Sequence, residues 1–375
     1  MSKKGELAVL AAGLISLVLF AAFPLFFPDI EALTTNYSRN LRFAAGTFYG
    51  ASATDIATDI VGMRGLASGG DAYPLLGPAI EELGWHWDLD IYSPRPPTAF
   101  LFTAPVAFFP WRLASALWAL MMIVCWILAL RLLGLSWNLA IGIGGLLLLW
   151  PPAALSLGQL TAPMLLFLML AYAWREAKPG IAGAAIGVAA MAKYTPAVAL
   201  VNFVSTPKRW RVVAAFAFAW VILLGLIFIM NPSAITRYFE VNQVNSLDIF
   251  QRVENSSPLA IGWRGFGWLG IAGWLAFLGV VTFTNWRAVR ANVTRGWMVT
   301  FYLSVALLPV LWIYSLLLLL PVVWYLFTQS QNRYSQAVMV GALVLSFISP
   351  AFGAEAVPYV SIAVLLAGLA LLPQQ

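Results

Sequence analysis

Two aspartates, Asp55 and Asp59, stand four residues apart in the segment Ala-Thr-Asp-Ile-Ala-Thr-Asp-Ile. Residues at this spacing share one face of a helix, so the pattern places two carboxylates side by side. Burial and a like-charged neighbour both raise the pKa of a carboxylic acid, and such a group can take a proton from a hydroxyl near neutral pH. Both residues are therefore candidate general bases. The alternative is that one or both only solvate an amphipathic helix.

The acidic residues are concentrated in one polar loop. Nine of the 15 lie between the first long apolar segment and the next, and none interrupts an apolar run. They are Asp29, Glu31, Asp55, Asp59, Asp71, Glu81, Glu82, Asp88 and Asp90. A smaller cluster of Glu240, Asp248 and Glu254 lies in a second polar stretch. Acid, base or nucleophilic chemistry is therefore expected in loop 28–110, with the stretch 231–264 as its partner.

The overall composition predicts a protein with many membrane spans. Of 375 residues, 62% are hydrophobic and 10% charged, and one soluble core could not bury so much apolar surface. The net charge of +6 comes from basic residues at the ends of apolar runs, which is typical of membrane topology and not of a nucleic-acid-binding stripe. One cysteine, Cys125, and one histidine, His86, leave no His or Cys metal set. No metal, cofactor or nucleic-acid partner is expected, and we assign His86 no role.

Ten apolar stretches have spanning or near-spanning length. They cover residues 8–27, 111–134, 137–155, 160–174, 210–230, 265–283, 297–311, 312–328, 335–351 and 357–372. Clusters of Lys and Arg between them mark the cytoplasmic side, and Lys3-Lys4 predicts an uncleaved first helix with a cytoplasmic amino terminus. Loops 28–110 and 231–264 then fall on the external face of the plasma (inner) membrane.

Two segments do not fit a simple alternation of sides. Residues 97–110 are short for a crossing, and a crossing there would invert every later basic loop, so we expect a juxtamembrane or re-entrant helix. Residues 180–205 lie between two basic loops, which predicts a broken hairpin with its apex near Lys193-Tyr194-Thr195-Pro196. The predicted fold is an all-α polytopic bundle of about 10–12 transmembrane helices, with one domain over residues 1–375.

Lys193 is a cation in the middle of an apolar stretch. A charged side chain at the bilayer centre costs about 2.5–3.5 kcal/mol, so we expect Lys193 to face a polar cavity or a partner. The alternative is that its side chain extends to the membrane interface.

Several short motifs follow one another in a fixed order along the chain. They are Asp55 followed by Arg64, Leu66 and Gly69-Gly70-Asp71-Ala72-Tyr73-Pro74; Tyr92-Ser93-Pro94-Arg95-Pro96-Pro97-Thr98-Ala99 leading to Pro105 and Phe109-Pro110-Trp111; Gly158-Gln159; Gly183-Ala184-Ala185-Ile186-Gly187 running to Met191-Ala192-Lys193-Tyr194-Thr195-Pro196; Asn255-Ser256-Ser257 followed by Arg264; and Pro309 to Tyr314. In this order the chain resembles the membrane glycosyltransferases of the GT-C superfamily, specifically glycosyltransferase family 87, the polyprenyl-phosphate-mannose type. The likeness covers most of the chain. It departs from the family pattern at Ile313-Tyr314, where relatives often carry an acidic residue and a histidine, so no role is expected for that segment.

The resemblance implies a GT-C-like fold with a long first external loop that contains juxtamembrane helices. It also implies an inverting, metal-independent transfer of a sugar, in which an aspartate of that loop deprotonates an acceptor hydroxyl while a lipid-linked phosphate leaves. By its spacing to Arg64 and Gly69, Asp55 matches that aspartate, and Asp59 is the alternative because a slip of one turn would exchange them. The implied donor is a polyprenyl-phosphate-linked sugar, mannose or another hexose or pentose. The implied acceptor is a lipid or glycan on the external face.

The resemblance also nominates side chains that bind the two substrates. The leaving phosphate needs cations, because charge builds on its oxygens as the bond breaks. Arg95, Lys193 and Arg264 are the candidates, and a guanidinium fork such as that of Arg95 suits phosphate geometry. The implied substrate-binding residues are Arg64, Tyr73, Tyr92, Gln159 and Asn255. The alternative for Arg95 is pairing with membrane lipid headgroups, and for Gln159 and Arg264 it is helix capping or interfacial anchoring.

Two other classes of protein are consistent with the hydropathy pattern. A transporter or flippase of a lipid-linked substrate would use Lys193 on a broken helix as its binding element. Loop 28–110 argues against this reading, because it has no counterpart in the second half of the chain, whereas many transporters are built from repeats. A non-catalytic membrane assembly subunit would leave the paired aspartates and the intramembrane lysine without a purpose.

Overall fold

The computed structural model describes residues 2–27, 36–49, 55–84, 91–251, 255–330, 332–348 and 357–373, and every regular element in these ranges is helical. The α-helices are α1 (Lys3–Phe26), α2 (Asn36–Gly46), α3 (Asp55–Ser68), α4 (Leu76–Glu81), α5 (Pro97–Phe100), α6 (Trp111–Leu132), α7 (Trp137–Leu146), α8 (Pro151–Leu155), α9 (Thr161–Trp174), α10 (Pro179–Ala192), α11 (Arg209–Met230), α12 (Ser233–Gln251), α13 (Pro258–Phe266), α14 (Trp268–Ala291), α15 (Val293–Ala306), α16 (Leu320–Thr328), α17 (Arg333–Ile348) and α18 (Val357–Leu371). Short 3₁₀ helices cover Thr47–Tyr49, Leu101–Thr103, Leu147–Leu149, Ser156–Gly158, Thr195–Phe203 and Ile313–Leu319. Asp29, Glu31, His86, Asp88, Asp90 and Glu254 lie outside the described residues.

Several of the described helices are long and apolar enough to cross a bilayer. Four qualify, namely α1, α6, α11 and the part of α14 over Trp268–Arg287. α11 has 22 residues, a length of about 33 Å against a hydrocarbon core of about 30 Å. Shorter apolar helices accompany them at Thr161–Trp174, Pro179–Ala192, Ile313–Thr328, Arg333–Ile348 and Pro358–Leu371. The predicted all-α polytopic membrane fold is confirmed, and the number of about 10–12 crossings stays a prediction.

The segment predicted as one span over residues 137–155 is a broken helix. Its first piece begins at Trp137, after Ser136 Oγ accepts a hydrogen bond from the N–H of Leu139 (3.3 Å). The pieces Trp137–Leu149 and Pro151–Gly158 meet at 91°. Pro151 and Pro152 lack the N–H groups that would continue the helix, which explains the break. Because the second piece ends at Gly158, the bend brings the buried side chain of Gln159 into the interior.

Glycines hold the first piece of this broken helix against α1. A Cβ atom added at Gly13 or at Gly145 would overlap the backbone of the facing helix. Ser16 Oγ also donates a hydrogen bond to the carbonyl oxygen of Gly145 (3.0 Å). Small residues that let two helix backbones approach are a common means of association in membranes. The contact fixes the first piece, from which the bend leads to the second piece and to Gln159.

Loop 28–110 is largely helical where the structure describes it. It contains α2, α3, α4 and α5. α3 ends at Ser68 and Gly69 has a φ of 68°, a left-handed conformation that glycine adopts without a steric penalty. The turn predicted at Gly69-Gly70-Asp71 is thereby confirmed.

Segment 97–110 is not the single juxtamembrane or re-entrant helix that the sequence predicts. It forms two short turns, α5 and the 3₁₀ helix Leu101–Thr103, followed by irregular chain. Arg64 on α3 holds this irregular part, because its Nε donates to the carbonyl oxygen of Ala107 (2.7 Å) and its Nη2 to that of Phe109 (3.1 Å). These two hydrogen bonds attach the segment to α3.

The predicted break in residues 180–205 is confirmed. α10 ends at Ala192, Lys193 is extended with φ −153° and ψ 142°, and a 3₁₀ helix follows from Thr195. Two hydrogen bonds pin the break to the rest of the protein. Thr98 Oγ1 donates to the carbonyl oxygen of Met191 (2.8 Å), and Thr195 Oγ1 donates to that of Ser304 (2.7 Å).

The two polar stretches contact each other. Residues 231–264 contain α12 and most of α13, and Asn231 lies two residues before α12. The Nδ2 of Asn231 donates to the carbonyl oxygen of Gly70 in the first polar loop (2.6 Å). This contact puts both stretches at the same end of the helix bundle.

Candidate active site

A cavity of about 590 Å³ lies where the first polar loop meets α12 and the breaks in the apolar helices. Its wall is formed by Phe43, Asp55, Thr58, Leu76, Ile91, Tyr92, Pro94, Arg95, Pro96, Leu155, Gln159, Ala192, Lys193, Tyr194, Thr195, Tyr238, Leu308, Pro309, Val310, Trp312, Ile313 and Tyr314. More than half of these residues are apolar, and the charged ones come from three separate segments. A pocket of this size that combines an apolar wall with a few convergent charges is typical of a ligand site.

Arg95 is the centre of the charged group. Its Nη1 donates to Oδ2 of Asp59 (2.8 Å), and its Nη2 donates to Oδ2 of Asp55 (2.9 Å) and to Oε1 of Gln159 (2.7 Å). Burial opposes the charge, but the two aspartates outweigh it and raise the pKa of Arg95 above its ordinary value, so the guanidinium stays charged. The hydroxyl of Tyr73 donates to the backbone carbonyl of Arg95 (2.8 Å) and holds the segment in place.

The two aspartates differ in exposure although they share one face of α3. The side chain of Asp55 is 41% exposed and lines the cavity. The side chain of Asp59 is fully buried, and its Oδ1 has no hydrogen-bond partner among the described residues. Burial raises the pKa of Asp59 to about 7, although the charge of Arg95 lowers it. A substrate in the cavity can therefore reach Asp55, whereas Asp59 acts as an anchor for Arg95.

Lys193 brings a second positive charge to the cavity wall. Its position follows from the end of α10, because the extended backbone at Lys193 turns the side chain out of the helix. No carboxylate of the described residues lies within 4.0 Å of its Nζ. The ammonium instead lies over the ring of Tyr314, 5.4 Å from the ring centroid. Lys193 therefore faces a cavity that contains other charged groups, and does not face lipid.

The structure places Gln159, Tyr92 and Tyr73 in or beside the same cavity. Gln159 and Tyr92 both line the wall, and Gln159 accepts a hydrogen bond from Arg95. The guanidinium of Arg237 lies over the ring of Tyr92, 5.2 Å from its centroid. Tyr73 is buried behind Arg95 and does not line the wall. Tyr73 is therefore placed to support Arg95, while Tyr92 and Gln159 are placed to contact a ligand.

Besides Tyr73, three residues expected to bind substrate or phosphate, Arg64, Arg264 and Asn255, lie outside the cavity wall. Arg64 is held by the carbonyl groups of segment 97–110. Arg264 donates to the carbonyl oxygen of Asn255 (2.9 Å), and Asn255 in turn donates to Pro309 O (3.0 Å) and accepts from the N–H of Leu311 (3.1 Å). This placement favours structural roles, because Arg264 and Asn255 hold the irregular segment after α15 that forms one side of the cavity.

The structure also brings in Tyr314, for which the sequence predicts no role. Its hydroxyl donates to Oδ2 of Asp55 (3.3 Å), and its ring contacts Lys193. The residue types at Ile313-Tyr314 depart from the family pattern, and the sequence therefore predicts no role for them. The position of Tyr314 at the end of the motif that begins at Pro309 was the signal for its placement.

These features define a polytopic α-helical membrane protein with a charged cavity at one end of its bundle. The family model described as Glycosyltransferase family 87 matches residues 95–350, which is more than half of the chain. The chain therefore belongs to glycosyltransferase family 87, and it is a membrane glycosyltransferase of GT-C type. No curated protein and no solved structure matches it.

Family membership favours a glycosyltransferase over a transporter or an assembly subunit. The matched range includes Arg95, Gln159, Lys193 and Tyr314, and it begins after Asp55 and Asp59. The assignment of the two aspartates to the site therefore depends on the contacts that they make with Arg95.

Proposed function

We propose that this glycosyltransferase moves one sugar, most simply mannose, from a polyprenyl-phosphate carrier to a hydroxyl group of a lipid or glycan acceptor. The transfer inverts the anomeric carbon, needs no metal and takes place on the external face of the plasma membrane. The observation that carries the proposal is that Asp55 and Lys193 line one cavity. A carboxylate for the acceptor and an ammonium for the donor phosphate are the two charges that this reaction requires.

Asp55 is the proposed general base. It takes the proton of the acceptor hydroxyl while the hydroxyl oxygen attacks the anomeric carbon, and the bond from that carbon to the phosphate oxygen breaks. A single displacement of this kind inverts the configuration at the carbon. The exposed carboxylate of Asp55 supports this role, and the burial of Asp59 argues against the same role for its neighbour.

Lys193 is the proposed partner of the leaving phosphate. Negative charge grows on the phosphate oxygens as the glycosidic bond breaks, and a cation held in a water-poor cavity stabilises that charge more than it would in bulk water. Arg95 has most of its donors occupied by Asp55, Asp59 and Gln159. Lys193 has no such partner among the described residues, so it supplies the larger share of the phosphate contact.

The apolar part of the wall suits the prenyl chain of the donor. Leu76, Ile91, Leu155, Leu308 and Ile313 line the cavity beside the charged groups. A nucleotide-linked sugar would place a second charged phosphate and a polar base against this surface, which is unfavourable without compensating hydrogen bonds. The combination of apolar wall and few charges therefore supports a lipid-linked donor with one phosphate.

Transfer of radiolabelled sugar by membrane vesicles tests the function. Vesicles that contain the protein are expected to convert polyprenyl-phosphate mannose into a labelled product in the lipid or glycan fraction. Vesicles with Asp55→Asn serve as the control for other transferases in the membrane. Label transferred from a nucleotide sugar alone would contradict the donor class, and label transferred only from another polyprenyl-phosphate hexose or pentose would replace mannose.

Labelling of introduced cysteines tests the external location. Cys125→Ala removes the single native cysteine, and cysteines then replace Ser68, Thr236, Thr206 or Asn292 one at a time. An impermeant maleimide added outside is expected to label the positions 68 and 236 and to spare 206 and 292, because the last two adjoin the basic loops. The contact of Asn231 with Gly70 requires 68 and 236 to behave alike. Labelling of 206 and 292 instead would place the site on the cytoplasmic face.

A further inference from the structure

Tyr314 contacts both charged groups that the proposed reaction uses. Its hydroxyl hydrogen bonds to Oδ2 of Asp55 (3.3 Å), and the Nζ of Lys193 lies 5.4 Å from the centroid of its ring. All three side chains line the same cavity. One aromatic residue is therefore shared between the carboxylate and the ammonium.

The hydroxyl contact distinguishes the two oxygens of Asp55. Oδ2 accepts from Arg95 Nη2 (2.9 Å) as well as from Tyr314, whereas Oδ1 accepts no hydrogen bond from the described residues. The two donors arrive on one oxygen and fix the plane of the carboxylate. Oδ1 is then the oxygen that is free to accept the proton of a hydroxyl group in the cavity.

The contact with the ring of Tyr314 affects which group the ammonium of Lys193 binds. An ammonium and a carboxylate in one low-dielectric cavity attract each other strongly, and a direct ion pair would occupy both groups. The ion pair is not formed in the described structure, where the face of the Tyr314 ring binds the ammonium instead. This arrangement keeps Lys193 available for an anion.

We propose that Tyr314 is a positioning residue for the transfer reaction, and this rests on the proposed function. Its hydroxyl aims Oδ1 of Asp55 at the acceptor, and its ring keeps Lys193 from pairing with Asp55. The two contributions can be separated, because phenylalanine retains the ring without the hydroxyl, whereas leucine retains neither.

Steady-state kinetics of Tyr314→Phe and Tyr314→Leu test this role, with the donor and the acceptor varied separately. Tyr314→Phe is expected to lower kcat about tenfold, since a hydrogen bond to a charged group is lost, and to leave the donor KM unchanged. Tyr314→Leu is expected to lower kcat similarly and also to raise the donor KM about tenfold, because Lys193 can then pair with Asp55. A role confined to folding would not separate kcat from the donor KM in this way.

Tyr302→Phe is the matched control. Tyr302 is buried on α15 outside the cavity wall, and its hydroxyl has no hydrogen-bond partner among the described residues. Its removal is expected to change neither kcat nor KM. Wild-type kinetics in Tyr314→Phe would overturn the role of Tyr314, and so would equal losses for both substrates that accompany a fall in Tm. The proposed function would still stand in either case if the wild type is active and Asp55→Asn is inactive. A wild type that transfers no sugar from any polyprenyl-phosphate donor would overturn both.

Discussion

Replacing Asp55 by asparagine is expected to abolish sugar transfer while the protein still inserts into the membrane. Asparagine has nearly the same shape and its Oδ1 can accept the hydrogen bond from Arg95, but an amide does not take up the proton of the acceptor hydroxyl. Loss of a general base typically costs about 10²–10⁴ in rate. Initial rates of label transfer in vesicles with matched amounts of protein measure the effect.

Replacing Asp59 by asparagine is expected to have a smaller effect on the rate of transfer, below about tenfold, because this side chain is buried and does not reach the cavity.

The effect of Asp59→Asn should depend on pH. Burial raises the pKa of Asp59 to about 7, so Asp59 loses its proton as the pH rises through this value. Ionised Asp59 then binds Arg95 as a charged partner and holds the guanidinium in place beside Asp55, which predicts a wild-type rate that rises near pH 7. Asp59→Asn has no carboxyl group to titrate at this position, so its rate is expected to stay at the lower level that the wild type shows below pH 7.

The pair of variants has three informative outcomes. An inactive Asp55→Asn with a partly active Asp59→Asn supports the assignment. The reverse pattern would make Asp59 the base and would require the cavity to open further along α3 than the structure shows. Near-normal turnover in both variants would exclude general-base catalysis by this aspartate pair.

Much of the site follows from the sequence because charged residues are rare in this chain. Asp55, Arg95 and Lys193 stand out among apolar or proline-rich neighbours, and burying such groups is costly unless they pair or face a cavity. The structure brings all three together. The sequence could not separate Asp55 from Asp59, because both lie on one helical face and only the packing around α3 decides which carboxylate is exposed.

The residues that the sequence misplaces are those that bind the backbone. Arg64 and Arg264 donate to carbonyl groups, and the carbonyl groups left free depend on the path of irregular chain that no residue pattern specifies. Tyr314 was missed for another reason. Its position at the end of the motif that begins at Pro309 was a signal, but aromatic residues make up 14% of the chain, so the residue type alone predicted no role.

The helix boundaries were predictable where one helix spans the apolar run. The predicted run 210–230 corresponds to Arg209–Met230, and 111–134 to Trp111–Leu132. Hydropathy fails where the backbone bends inside an apolar run, as at Trp150, because proline and irregular turns leave the average hydropathy unchanged. The basic residues on both sides of 180–205 revealed the break at Lys193, whereas the break at Trp150, which leads to the cavity-lining Gln159, has no such charges around it.

Replacing Lys193 by glutamine is expected to lower kcat/KM for the donor about 100-fold, with little change in the acceptor KM, because the leaving phosphate loses its unpaired cation. Lys193→Arg retains the charge and should recover part of the rate. Lys178→Gln is the matched control, since Lys178 is exposed, lies over the ring of Trp174 and does not line the cavity.

Arg95→Ala is expected to behave differently from Lys193→Gln, because Arg95 neutralises two aspartates. Its removal takes away the charge that lowers the pKa of Asp59, so the buried carboxyl is protonated near neutral pH and left without a partner. A buried polar group without a hydrogen-bond partner costs about 1–3 kcal/mol. The expected result is a lower Tm together with losses for both substrates, whereas Lys193→Gln should leave Tm near that of the wild type. Kinetics with each substrate varied separately, combined with thermal unfolding in detergent, measure the difference. A donor-selective loss in Arg95→Ala at unchanged Tm would assign the phosphate to Arg95, and equal losses for both substrates in Lys193→Gln would remove Lys193 from the donor site.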